Sequence, residues 1–175
     1  MTGVQTCALP IWLRAEIGRA GKSGAALSLL FIDLDRFKTI NDHHGHLEGS
    51  RALHMVGILL EAEVPAGAVA ARYGGDEFVV ILPGTGEDEA LAVAEHLRAR
   101  VAQTSFLAEQ PAHGSGGRYT ITASLGVATL PPGRARAERS LQLANGLIRL
   151  ADAAMYRAKT AGRDRVSVAA EEGLT

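Results

Sequence analysis

A single cysteine, Cys7, rules out an internal disulfide framework and any Cys-rich zinc site. Aromatic residues are scarce too, at 5% of the 175-residue chain, too few for a base-stacking platform that grips single strands. An excess of positive charge is also missing. With 18 Lys and Arg against 19 Asp and Glu, the net charge is −1, which excludes a coat for a duplex or an anionic membrane. Neither a nucleic-acid partner nor a membrane span is expected within this chain. Its longest apolar run, Ala25 to Ile32, stops at Asp33, well short of the ~20 residues a spanning helix needs. What is present is ordinary for one globular domain: 47% apolar and 21% charged residues.

Met1 to Ile11 reads MTGVQTCALPI and shows no helical or strand period. Thr2 to Ile11 also matches the translation of a widely used short-read sequencing adapter. Residues 1–11 are therefore set aside as non-native or disordered. That leaves 12–170 as one domain, truncated at its N-terminus with an upstream segment missing, and 171–175 as a tail.

Periodicity then orders the chain. Trp12 to Gly21 has Leu13, Ile17 and Ala20 at helical spacing. Leu27 to Ile32 is a near-continuous apolar run of strand length, as a buried central strand requires. Leu53, Val56 and Leu60 mark a second helix ending around Val64, Pro65 and Gly67. Val69 to Tyr73 and Phe78 to Leu82 flank Gly74-Gly75, a sequence suited to a two-residue hairpin loop in which both residues have positive φ. Thr85-x-x-Asp88 reads as a capping box ahead of Ala90, Ala94, Leu97 and Val101. Gln110 to Gly117 is a loop by composition, and Tyr119 to Ala128 alternates as a strand. Pro131 to Arg139 is a polar connection. Leu147, Leu150, Ala151, Ala154, Met155 and Ala158 form a helix face closed by Gly162 as a left-handed cap, before a short strand at Val166 to Val168. The central hairpin breaks a strict βα alternation, so the expected class is α+β, a mixed antiparallel sheet with helices packed on it.

Three carboxylates carry the chemical signal. Asp33 directly follows the buried strand, and Asp76 and Glu77 follow the Gly-Gly turn. If the strand and hairpin are neighbours, these acids gather at one sheet edge, where they repel unless a cation neutralises them. Mg²⁺ suits such a place, taking one or two protein carboxylates and filling its shell with water and phosphate oxygens; Mn²⁺ is the alternative. Lys38, Lys159 and Arg163, each a solvated charge when taken singly, would together suit a triphosphate. Competing motifs fail. Gly21-Lys22-Ser23 lacks the first P-loop glycine, which falls on Glu16, and a strand follows rather than precedes it. Asp33-x-Asp35 begins like a calcium loop but puts Phe37 and Lys38 where an oxygen ligand and Gly are needed. His43, His44 and His46 lack an i,i+4 zinc pair with a partner glutamate and read as loop residues.

The blocks Phe31-Ile32-Asp33-Leu34-Asp35-x-Phe37-Lys38-x-x-Asn41-Asp42, Gly45-His46-x-x-Gly49 and Arg72-Tyr73-Gly74-Gly75-Asp76-Glu77-Phe78 occur in order. Thr122 to Ala128 and Ala151-Asp152-x-Ala154-Met155-Tyr156-x-Ala158-Lys159-x-x-Gly162-Arg163 follow. Together they resemble the GGDEF-domain diguanylate cyclases. The resemblance implies a polymerase-palm-like, ferredoxin-like domain that binds one GTP and works as a homodimer in bacterial cytoplasmic signalling. Each 3′-hydroxyl would attack the other nucleotide's α-phosphate, giving cyclic di-GMP and two pyrophosphates. It also implies that Asp33, the Leu34 carbonyl, Asp76 and Glu77 hold the metal. Asp76 would be the main catalytic acid, with Glu77 beside it and Lys38 on the phosphates. Asn41, His46, Ser50, Gly74, Gly75, Lys159 and Arg163 would bind substrate, and an upstream sensory region would supply the regulation.

The departures matter. Gly49-Ser50 stands where the family has Gly-Asp, so one neutral acceptor replaces a charged bidentate one facing guanine. Pro65-Ala66-Gly67-Ala68 occupies the positions of the family's inhibitory Arg-x-x-Asp motif and carries neither charge. The family's leading Leu-Thr-Gly-Leu-x-Asn-Arg element would fall on the segment set aside, and its loss is expected to weaken folding. Asp164 replaces a usual Asn, with little effect expected. Two further readings stand beside an active cyclase. One is a catalytically weak or inert module that binds GTP or a protein partner. The other is a metal-dependent glycosyltransferase built on Asp33-x-Asp35, which leaves Asp76, Glu77, Lys159 and Arg163 unexplained.

Overall fold

The computed structural model describes residues 9–107 and 118–170. Twelve helices and strands follow in chain order: α1 (Leu9–Ser23), β1 (Leu27–Leu34), α2 (Phe37–His44), α3 (His46–Glu63), β2 (Val69–Gly74) and β3 (Glu77–Pro83), then α4 (Glu87–Gln103), β4 (Ser105–Leu107), β5 (Arg118–Thr120), β6 (Ala123–Leu130), α5 (Ser140–Thr160) and β7 (Arg165–Val168). The main sheet has the order β2-β3-β1-β6-β7, antiparallel except for the β6–β7 pair. The α+β class expected from the hairpin is therefore correct. Its first four strands, with α3 and α4 as crossovers, make the split βαβ arrangement in which β1 is central.

All eight residues of β1 are buried, because helices cover both faces of the sheet. Leu30, Ile32 and Leu34 point with Phe78, Val80, Leu125 and Val127 into a core closed by α3 and α4 through Val56, Leu60, Ala94 and Leu97. Leu27, Leu29 and Phe31 point the other way, into a core closed by Leu13 and Ile17 of α1 and Leu147, Ala151 and Met155 of α5. This second layer is unusually close to the sheet. A Cβ on Gly126 of β6 would overlap the Ala151 carbonyl oxygen and the Met155 amide nitrogen, so only glycine lets α5 lie there.

Several local expectations change. α1 begins at Leu9, inside the stretch set aside; Leu9 continues the Leu13 and Ile17 stripe and is buried, and Pro10 suits a first helical turn. Residues 1–8, the Gln110 to Gly117 loop and the 171–175 tail lie outside the described residues. The hairpin loop is Gly75-Asp76 rather than Gly74-Gly75, because a bulge between Arg72 and Gly74 moves the turn on by one residue. Only Gly75 of the pair has positive φ, +42°. Thr85 does not cap α4; its hydroxyl donates to the Pro83 carbonyl, and Gly86 is the N-cap. His43 and His44 end α2 and His46 opens α3, so these histidines are helical rather than loop residues; α2 forms because Phe37 docks into the core. Gly162 does end α5: the Arg163 and Gly162 amides return to the Ala158 and Lys159 carbonyls in a Schellman closure.

Candidate active site

The antiparallel register sets Asp33, the seventh residue of β1, directly opposite Glu77, the first of β3. Directly opposed residues share a sheet face, so two carboxylates stand side by side where like charges destabilise. The Leu34 amide donates to the Asp76 carbonyl at 3.2 Å, tying the end of β1 to the hairpin loop. Two stretches of chain thus converge at one sheet corner. From the helical layer on the same face, Lys159 Nζ reaches Asp33 Oδ2 at 2.6 Å. The other carboxylate oxygen, Asp33 Oδ1, is buried without a hydrogen-bond partner.

This corner is short of positive charge. Burial pushes the Asp33 carboxyl above its ordinary 3.8; the hydrogen bond and charge of Lys159 oppose the rise, and Asp76 and Asp35 add to it. Glu77 is likewise raised from 4.5, by burial first and then by the charges of Asp33, Asp76 and Asp152. The donor chemistry fits a hard divalent cation: carboxylate oxygens, one of them buried and unsatisfied, and no nitrogen or sulfur ligand at the corner. Among the described residues, no group of three or more His, Cys, Asp and Glu side chains forms a complete metal cage. A Mg²⁺-type ion does not require one, since water and phosphate complete its shell.

Asp76 also borders a cleft of about 340 Å³, lined by Phe37, Lys38, Asn41, His46, Ser50, Leu53, Arg72, Gly75 and Asp76. Six of the residues singled out from sequence, Lys38, Asn41, His46, Ser50, Gly75 and Asp76, thus share one cavity. Asp33, Leu34, Glu77 and Lys159 gather at the adjoining corner, and Gly74 leads into the turn. Arg163 is exposed on the loop after α5 and is not among the cleft-lining residues. A larger cavity of about 520 Å³, between Gly86, Thr129, Pro131 and Arg134 at the opposite end of β1, holds none of the candidate residues.

Two site residues escaped the sequence reading. Arg72 closes the hairpin, donating from Nε and Nη2 to the Gly75 carbonyl at 3.0 and 2.6 Å. Asp35 is a buried hub. It accepts from Thr122 Oγ1 at 2.8 Å, Ser124 Oγ at 2.7 Å and the Asp164 amide at 3.0 Å. Among the described residues, all three non-glycine positions with positive φ adjoin it: Arg36, which follows it, and Arg163 and Asp164, whose loop it holds. Asp164 does more than the sequence suggested, since its carboxylate accepts from Arg98 of α4 at 2.6 Å. No residue type or spacing announces the role of Asp35, whose bonds join positions up to 129 apart.

A mixed α+β sheet with an acidic corner beside a cleft lined by Lys38, Asn41 and Asp76 is the class defined by fold and site. The chain belongs to the GGDEF-domain family: the family model described as diguanylate cyclase, GGDEF domain, matches residues 9–165. It is 38% identical over 160 residues to the diguanylate cyclase DosC of Escherichia coli K12, covering 91% of this chain and 32% of that protein. The chain therefore spans about a third of that relative's length. The GGDEF domain of DgcB from Caulobacter crescentus, solved in complex with c-di-GMP, superposes with a TM-score of 0.78 at 28% identity. That match covers 90% of this chain and 86% of the other. The active GGEEF domain of a Vibrio cholerae diguanylate cyclase matches with a TM-score of 0.77 at 30% identity, over 94% and 96% of the two chains. Among the described residues no helix is long and apolar enough to cross a membrane.

Proposed function

We propose that this domain is a diguanylate cyclase, condensing two GTP molecules into cyclic di-GMP with release of two pyrophosphates. The observation that carries the reading is the pairing of Asp33 with Glu77 across β1 and β3, joined through Asp76 to the cleft that holds Lys38, Asn41 and Ser50. In each half-reaction a 3′-oxygen forms a bond to the α-phosphorus of the other nucleotide. The α–β bridging bond breaks and pyrophosphate leaves. One domain offers one such cleft, so turnover requires two copies facing each other.

The residues divide the work. Asn41 and Ser50 read the base edge, with His46 beside them. Lys38, Lys159 and Arg163 supply positive charge to the triphosphate, Arg as a fork and Lys as point charges. Gly74 and Gly75 allow the backbone to approach the phosphates. Asp76, with Glu77 beside it, would take the proton from the attacking hydroxyl, and the raised carboxyl of Glu77 suits it to that exchange. Asp33, the Leu34 carbonyl, Asp76 and Glu77 would hold Mg²⁺ or Mn²⁺. That ion would lower the pKa of the attacking hydroxyl and offset charge on the leaving group. A reaction fed by GTP belongs in the cytoplasm.

Incubating the chain with GTP and Mg²⁺ and detecting cyclic di-GMP by mass tests the proposal; GTP left intact at saturating concentration refutes it. A second reading, an inert module that binds GTP without turnover, is favoured by Ser50 alone. Tight GTP binding without product would support it.

A further inference from the structure

Gly49 has no assigned role, yet its α-carbon lies directly under the carboxamide of Asn41. A Cβ built on Gly49 would overlap Asn41 Oδ1 and would lie 3.0 Å from Asn41 Cγ and 3.3 Å from Phe37 Cζ. The two residues come from different helices. Asn41 is in the last turn of α2, and Gly49 is in the first turn of α3 beyond the break at Gly45. Backbone bonds hold the two helices in register at the break: the Gly45 amide donates to the Asn41 carbonyl at 2.8 Å, and the Gly49 amide to the Gly45 carbonyl at 3.1 Å. Asn41 and Ser50, the neighbour of Gly49, both line the cleft.

Glycine is a poor residue for a helix, and Gly49 is not among the glycines with positive φ. Neither local conformation nor helix formation asks for it. What asks for it is the space that the Asn41 amide fills. We propose that Gly49 is a positioning residue for base recognition: its missing side chain leaves the room in which the Asn41 carboxamide sits against α3, at the wall of the cleft. The ligand class is a nucleobase edge carrying a complementary acceptor and donor, as a 6-oxopurine does. This rests on the reading that the cleft binds GTP.

Gly49→Ala is the test, because it favours the helix while unseating one amide. Its melting temperature is expected to match or exceed that of the unsubstituted chain. Its affinity for a non-cyclisable GTP analogue, one with a methylene between the α and β phosphorus atoms, is expected to fall roughly tenfold. Asn41→Ala should lose affinity to a similar degree, and the double variant should be no weaker than Asn41→Ala alone. If Asn41→Ala weakens binding and Gly49→Ala does not, the proposal is overturned while the GTP reading stands. If neither variant weakens binding, the base-edge reading itself falls, and the proposal with it.

A ligand-free readout separates the two further. The side-chain amide resonances of Asn41 should shift in Gly49→Ala, and unmoved resonances overturn the proposal whatever the cleft binds. Should Gly49→Ala fail to fold, removing the clashing amide in Gly49→Ala/Asn41→Ala should restore folding. A double variant that stays unfolded would place the conflict elsewhere and overturn the proposal.

Discussion

Truncating Asp35 is expected to be among the most damaging single changes to the stability of this domain. The residue is 7% exposed and accepts three hydrogen bonds, from Thr122, Ser124 and the Asp164 amide. A hydrogen bond to a charged acceptor contributes about 1.5–3 kcal/mol. Relief of carboxylate burial offsets part of that loss in Asp35→Ala. The Thr122 and Ser124 hydroxyls can turn toward other acceptors, whereas the Asp164 amide, held at φ +44°, is left without its partner. A net loss of about 3–5 kcal/mol follows, the three charge-assisted bonds less the relieved burial of the carboxylate. At this chain length that lowers the melting temperature by roughly 8–15 °C. Asp35→Asn discriminates. Its carbonyl oxygen can serve the corner shared by Thr122 and Asp164, and its amide can donate to the Ser124 hydroxyl, so only the charge is lost. About 1–2 kcal/mol is expected there. Urea unfolding of both variants, with unchanged denaturant slopes, measures the difference. If Ala and Asn cost the same, or if both cost under about 1 kcal/mol, Asp35 is not the anchor described.

Other expectations concern charge and recognition. Burial raises the Asp33 carboxyl, so the folded chain holds that proton more tightly than the unfolded chain does. Ionised Asp33 therefore lowers stability above its folded-state pKa, and the loss is recovered as pH falls through that value toward 3.8. Asp33→Asn should melt higher than the unsubstituted chain at neutral pH, with the gap closing on acidification; a gap that widens refutes the sign. Ser50→Asp should restore a charged acceptor to the cleft and lower the KM for GTP by roughly tenfold, while an unchanged KM removes Ser50 from base recognition. Cyclic di-GMP added to a turnover assay should not inhibit through the stretch between α3 and β2, where Pro65 and Ala68 carry no charge. Submicromolar inhibition would show otherwise.

Much of the scaffold was legible because burial writes a period into the chain. β1 and β3 carry the apolar runs of strands covered on both sides, and α4 and α5 carry stripes that their buried residues match. The alternating stretch Tyr119 to Ala128, by contrast, is not one strand but divides between β5 and β6, and β6 is buried on both faces. α2 was not legible, since FKTINDHH offers one buried side chain, Phe37, and its helix depends on the core that receives it. The β4–β5 ribbon was missed for a similar reason: three-residue strands are too short to show a period. The hairpin slipped by one residue because a bulge leaves no mark in composition. At the site, the acids and bases stood out by residue type, and the structure brings Asp33, Asp76, Glu77 and Lys159 to one corner. Asp35 and Gly49 act through partners on other elements of the fold, and Arg72 through a turn carbonyl placed by the bulge, so residue type alone did not announce them.

The acidic corner and the cleft wall that carries Asn41 and Ser50 are built on supports of very different stiffness. Asp33 and Glu77 belong to neighbouring central strands, so moving either one means dragging a five-stranded sheet and both of its cores. Asn41 and Ser50 sit on a two-turn helix and the opening turn of the next, joined by one residue at Gly45. Over evolutionary time, such a layout lets the choice of base drift by small changes near the surface while the reacting geometry stays fixed beneath.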